Sequence, residues 1–213
     1  MPSSDYAMCF GMNQRNAVWL KISGICGILT PIVACAFILP AIALYPQFSW
    51  TANALSDLGV VAGTTAILFN SGLVISGALA LLFASGLFIV FRENMLGRIG
   101  AFIFLLGALA LIAIGIFPEN VKPMHYYASV TFFVLLPISM FMISAAFVFV
   151  AKLKTGVFTF LIATFAATVW IAHFSTRLVS GVAIPETLSV LSASMLCVVL
   201  GFKMLKETSR SSD

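Results

Sequence analysis

Long apolar runs separated by short polar breaks set the pattern of the chain. The first run covers 18–44 and is interrupted only by Lys21 near its start. Five more follow at 64–91, 97–117, 126–151, 155–174 and 185–204. Each is long enough to cross a bilayer, since a spanning helix needs roughly 20 apolar residues. The runs are continuous rather than alternating, so they predict helices and not barrel strands. The expected fold is all-α: a polytopic membrane protein with a bundle of six transmembrane helices over 18–205, flanked by cytoplasmic tails at 1–17 and 206–213. Pro31 is expected to kink the first helix, and Pro40 to mark its last turn. A signal-peptide core is only about 7–15 residues long. The first run exceeds that and lacks a small-residue cleavage site, so it should stay as an anchor. Met8 and Met12 offer alternative starts within the tail.

Composition changes the picture by exclusion. Hydrophobic residues make up 62% of the 213 and charged residues only 8%. A soluble domain is about 45–50% apolar and about 25% charged. A soluble enzyme, a nucleic-acid-binding domain and a disordered chain are therefore ruled out, and the solvent is the lipid bilayer. The net charge of +4 mainly reports orientation. Arg15, Lys21, Arg92, Arg98, Lys152, Lys154, Lys203, Lys206 and Arg210 fall on the side of the two termini, nine in all. Only Lys122 and Arg177 fall on the other. Basic residues gather on the cytoplasmic side. Both termini are thus expected in the cytoplasm, in a multi-pass protein of the cell membrane. No basic stripe follows a phosphate backbone, so no nucleic-acid partner is expected.

Inside the spans the polar signals are few. Small residues recur at Gly72, Ser76 and Gly77, and at Gly100, Gly107 and Ala108. They read most simply as sites of close helix packing. Of the four cysteines, Cys9, Cys26, Cys35 and Cys197, none forms a CxxC pair. Cys26 and Cys35 are nine apart, which puts them on opposite faces of a helix. They read as small buried apolar residues and not as a metal pair or disulfide. Asn70 is the one amide well inside a span. It should face the bundle interior and bond to a neighbour, with pocket lining as its second role. No charge lies mid-membrane, which argues against a proton relay or pump.

The candidate chemistry lies at the outer connections, 45–63, 118–125 and 175–184. They contain or abut Asp57, Glu119, Glu186, His125 and His173. His125 opens the fourth span and His173 closes the fifth, so antiparallel neighbours would bring them to one depth. Two imidazoles and Asp57 are donor types that zinc takes, and paired histidines also suit haem. Neither HExxH nor HxxxH spacing is present. A hydrolase reading would use Ser56 as nucleophile and His125 or His173 as base. It lacks the GxSxG elbow. The catalytic candidates are Ser56, Asp57, Glu119, His125 and His173. The binding candidates are Trp50, Asn70, Arg177 and Glu186. Trp50, with Tyr45 and Phe48, suits the headgroup zone, and the first connection reads either as a pocket wall or as an interfacial loop with Ser56 and Asp57 as caps. Arg177 and Lys122 are expected to form salt bridges between outer loops, or else to hold a phosphate headgroup. The partners implied are outer-leaflet lipid headgroups, a small molecule or a membrane partner protein.

The segments SWTANALSDLG at 49–59, LFNSGL at 68–73 and IGIFPEN at 114–120, followed by His125 and then His173, occur in an order that resembles the prokaryotic membrane proteins grouped as domain of unknown function 998. The resemblance runs from about residue 20 to 205. It implies a six-helix membrane protein and no particular activity. It places emphasis on Ser56, Asp57, Gly59, Asn70, Pro118, Glu119 and His125. A looser likeness exists to six-helix proteins of the Frag and DRAM type. Another exists to ceramidase-like hydrolases, whose zinc needs three histidines. This chain has two.

Overall fold

Asn13 starts the first helix four residues before the hydropathy pattern does. Its side chain accepts a hydrogen bond from the backbone N–H of Arg15 at 3.2 Å, which satisfies one free donor of the first turn. The helix then carries a short polar collar before it enters the apolar run. The computed structural model describes residues 13–177 and 179–210. It contains six long helices: α1 (Gln14–Ala43), α2 (Thr64–Val90), α3 (Met95–Ile116), α4 (Met124–Phe149), α5 (Leu153–Thr176) and α6 (Ala183–Arg210). A 3-10 helix, Leu55–Val60, interrupts the connection between α1 and α2. No strand occurs among the described residues. Each of the six long helices is long and apolar enough to cross a membrane. Cys9 and the alternative starts at Met8 and Met12 lie outside the described residues.

The spans agree with the sequence expectation to within a few residues, and the differences have local causes. Pro31 and Pro40 both remain inside α1, with Pro40 in its last turn. Asn94 caps α3 by accepting from Gly97 N–H at 3.0 Å, and so starts the helix before the predicted Gly97. At its other end α6 continues past Met204 to Arg210. An ion pair between Lys152 and Glu207 at 3.7 Å braces this polar extension.

The helices form a closed ring in which each packs on its neighbours in sequence and α6 returns to α1. Neighbours run antiparallel: Gly72 of α2 meets Phe37 of α1, while Gly86 meets Ser23. Hydroxyls and glycines bridge the seams. Ser139 donates to Gly100 O at 3.0 Å between α4 and α3, and Ser144 donates to Gly156 O at 2.8 Å between α4 and α5. Large apolar side chains such as Ile32, Ile67, Phe102, Leu161 and Met195 point outward. Ser23, Ser139 and Thr159 are fully buried. That is the arrangement a lipid solvent demands, because a polar group facing hydrocarbon would lack a partner. The end of the ring that carries the α1–α2, α3–α4 and α5–α6 connections is called the distal end below.

Candidate functional site

Side-chain caps shape the distal α1–α2 connection. Asp57 Oδ2 accepts from Ala54 N–H at 3.1 Å and from Asn53 Nδ2 at 2.6 Å. Asn53 Oδ1 in turn accepts from Ser49 N–H at 2.8 Å. These bonds wind Leu55–Val60 into its 3-10 turn. Asn70 then fastens the turn to α2: its Nδ2 donates to Gly59 O at 2.9 Å. A Cβ at position 59 would sit 2.6 Å from Asn70 Oδ1, so this close approach requires glycine. On the other side the connection pairs with the one leading into α6. Gly181 N–H donates to Thr51 O at 2.8 Å, and Ala183 N–H to Asn53 O at 2.9 Å. Leu55 N–H donates to Glu186 Oε2 at 2.6 Å across the same junction. The result is a roof tied to α2 and α6. Asn70 meets the expectation of a bonded interior amide, although its partner is the roof and not another spanning helix.

Three carboxyl groups from three segments converge under and beside this roof. Glu119, in the α3–α4 connection, lies against the Asp57 carboxyl. Burial, followed by the hydrogen bond and charge of Asp57, pushes its pKa from 4.5 up to about 7, while Lys122 pulls it down. Glu186, in the first turn of α6, is 7% exposed. Arg177 and Lys122 are exposed, and neither forms an ion pair among the described residues. The expected salt bridges between outer loops are replaced by the backbone ladder at Thr51 and Asn53 and by the Leu55–Glu186 bond. Arg177 instead ends α5 in the left-handed conformation, with φ 48°.

The histidines play separate parts. His125 is 7% exposed, and both its ring nitrogens have partners. Nδ1 lies 2.8 Å from Phe117 O, and Nε2 lies 3.3 Å from Ser129 Oγ. A carbonyl only accepts, so Nδ1 carries a proton and donates to Phe117 O, while Nε2 and the Ser129 hydroxyl share the second bond. His125 thereby fastens the first turn of α4 to the end of α3. His173 is packed edge-on among Trp170 and Phe174. Among the described residues no three His, Cys, Asp or Glu side chains form a group that could hold a metal ion. His125, His173 and Asp57 are thus not assembled as a ligand set, because each is committed to a different local partner. Ser56 is 8% exposed and is joined to neither histidine by a hydrogen bond, so no nucleophile–base pair is formed.

Beneath the roof lies a feature that the sequence did not disclose. A cavity of about 230 Å³ runs inward between α1, α2, α3, α4 and α6. Its walls are aliphatic and aromatic, including Ile38, Leu73, Phe104, Phe132 and Leu136. Ser56, Trp50, Glu186 and Ser129 border it at the distal end. Farther in, the hydroxyl of Ser76 is buried without a partner. Gly107 lines the cavity, and a Cβ there would meet nothing within 4 Å. Gly72, Gly77 and Gly100 do serve close packing, against Phe37, Ile112 and Ile143. Gly107 borders open space instead, and Ala108 and Ser76 line the same cavity. Cys35 and Leu39 of α1 and Leu191 of α6 line the cavity while also being exposed, which opens it sideways between these helices. Farther from the roof the same helices touch: a Cβ on Gly24 would lie 2.8 Å from Gly201 O. Pro31 lies just beyond this crossing, at the start of the cavity wall.

The family model for Protein of unknown function (DUF998) matches residues 28–203. The chain belongs to the DUF998 family. The match begins within α1 and ends within α6, so α2 to α5, the roof and the cavity lining of this DUF998 member lie inside it. No curated protein and no solved structure matches the chain. The resemblance read from the roof, from LFNSGL and from IGIFPEN is thus upheld for the family. Chemistry at the site rests on its geometry.

Proposed function

We propose that this DUF998 protein binds an amphipathic small molecule or lipid, with the apolar part in the cavity and the polar end under the roof. The observation that carries the reading is the cavity itself. An apolar cavity of about 150 Å³ already stays dry and takes up benzene. At about 230 Å³, this one has room for a longer hydrocarbon body. Its side opening between α1 and α6 faces the bilayer, so a ligand would enter from the lipid. The nine-to-two distribution of basic residues supports placing the distal end on the outer face of the cell membrane, with both termini in the cytoplasm. Trp50, 43% exposed and edge-on to Phe48 at 5.2 Å, suits the headgroup zone at such a mouth.

The test is lipid analysis of the purified protein beside Gly107→Leu. This substitution fills the cavity from a position with open space around it, so the variant should fold. One molecular class should be enriched over bulk lipid in the wild type and lost in the variant. Equal lipid profiles in the two proteins would reject the binding reading.

A further inference from the structure

We infer that the ligand of this cavity is an amphipathic cation: an apolar body ending in an ammonium group that Glu186 receives. The inference rests on the binding reading above and names the class of molecule that the site selects. Glu186 is the only charged side chain lining the cavity among the described residues. It is buried, and one of its oxygens takes the Leu55 N–H. No Lys, Arg or His among the described residues makes an ion pair with it. A carboxylate buried without a counter-charge is costly, and a cationic ligand would stabilise that ionised form.

The surroundings point the same way. The groups that face Glu186 from other segments are the carboxyls of Asp57, in the roof, and Glu119, in the α3–α4 connection. Lys122, which is exposed, acts on Glu119 and not on Glu186. Asp57, together with Glu119 and Glu186 in their ionised forms, would repel a phosphate or carboxylate headgroup and attract an amine. Trp50 also lines the mouth, and an indole ring is a side chain that attracts a cation. Deeper in, Ser76 lines the cavity with its hydroxyl buried and without a partner; Ser189, the other such hydroxyl among the described residues, does not line it. Ser76 would take a hydroxyl or ether oxygen on the ligand body. Neither it nor the acids require an anion.

The experiment uses the full-length protein in lipid nanodiscs, with three probes of equal chain length: n-octylammonium, n-octanol and n-octanoate. Heats of binding are measured by titration and corrected with empty nanodiscs, at about pH 7.5, where the amine is charged and the acid ionised. Octylammonium should bind about ten-fold or more tighter than octanol, and octanoate more weakly than either. Glu186→Gln keeps an oxygen for Leu55 N–H and should remove the preference while leaving octanol binding in place. Gly107→Leu should abolish all three. If the probes bind alike in the wild type and Gly107→Leu blocks them, the cavity reading stands and the cation inference falls. If none binds, both fall. If octylammonium binds Glu186→Gln as tightly as the wild type, Glu186 is not its receiver. If that variant does not fold, the order of the three probes on the wild type still decides the matter.

Discussion

Glu119 shows how one residue's surroundings set its chemistry. In an unfolded chain its carboxyl would titrate near 4.5, but in the folded protein burial and Asp57 hold the proton up to about pH 7. Between those values the folded state binds a proton that the unfolded state has lost, so stability falls as pH rises through that window. Below it the effect is absent, and above it the loss is complete. Glu119→Gln keeps the neutral shape at every pH. Its melting temperature should match that of the wild type near pH 4.5 and exceed it at about pH 8. Thermal unfolding in detergent checks this; a wild type that gains on the variant as pH rises would contradict it. The sequence made Glu119 and Asp57 visible as outer acids. It could not show that they touch, because they are 62 positions apart and belong to different connections.

At the scale of elements, the roof is a short 3-10 helix that has little hold of its own. Leu55–Val60 is too short to be stable alone. It stands because Asn70, Glu186 and the ladder to Gly181 and Ala183 fix it from outside. Asn70→Leu removes the donor and leaves Gly59 O without its partner. The expected cost is about 1–3 kcal/mol, seen as lower folding yield and faster amide exchange at the roof. Unchanged yield and exchange would reject the tie. The helices themselves were legible from hydropathy, and so was the interior position of Asn70, while capping by Asp57 was one of two readings of the first connection. The expectation of a His125–His173–Asp57 metal set went astray for a physical reason. Equal depth in the membrane says nothing of the direction in which a ring points. His125 points at Phe117 O, and His173 lies among aromatic rings. The backbone partner of His125 is invisible to a motif search, since any residue has a carbonyl.

On the scale of the whole molecule, a ring closed by α6 against α1 holds a cavity under a polar cap. Span lengths predicted the ring, but the cavity comes from how the helices meet. Gly24 and Gly201 bring α1 and α6 together at one level, while farther toward the roof both helices line the opening. Gly107 carried no signal of its own, because a glycine in a packed seam and a glycine beside a void look alike in sequence. Orientation is checked with cysteines placed singly at Val121 and at Lys206 in a cysteine-free background. An impermeant maleimide added to whole cells should label position 121 and spare 206. The reverse pattern would turn the protein over.

The central claim is that hydrocarbon from the bilayer enters the interior of this bundle. The most direct measurement is photolabelling in nanodiscs with an alkyl chain carrying a diazirine, followed by peptide mapping. Label is expected on the buried wall residues Phe104 and Leu136 as well as on the lipid-facing surface, and Gly107→Leu should erase the interior label alone. Label confined to outward side chains such as Phe102 and Leu161, in both proteins, would contradict the account.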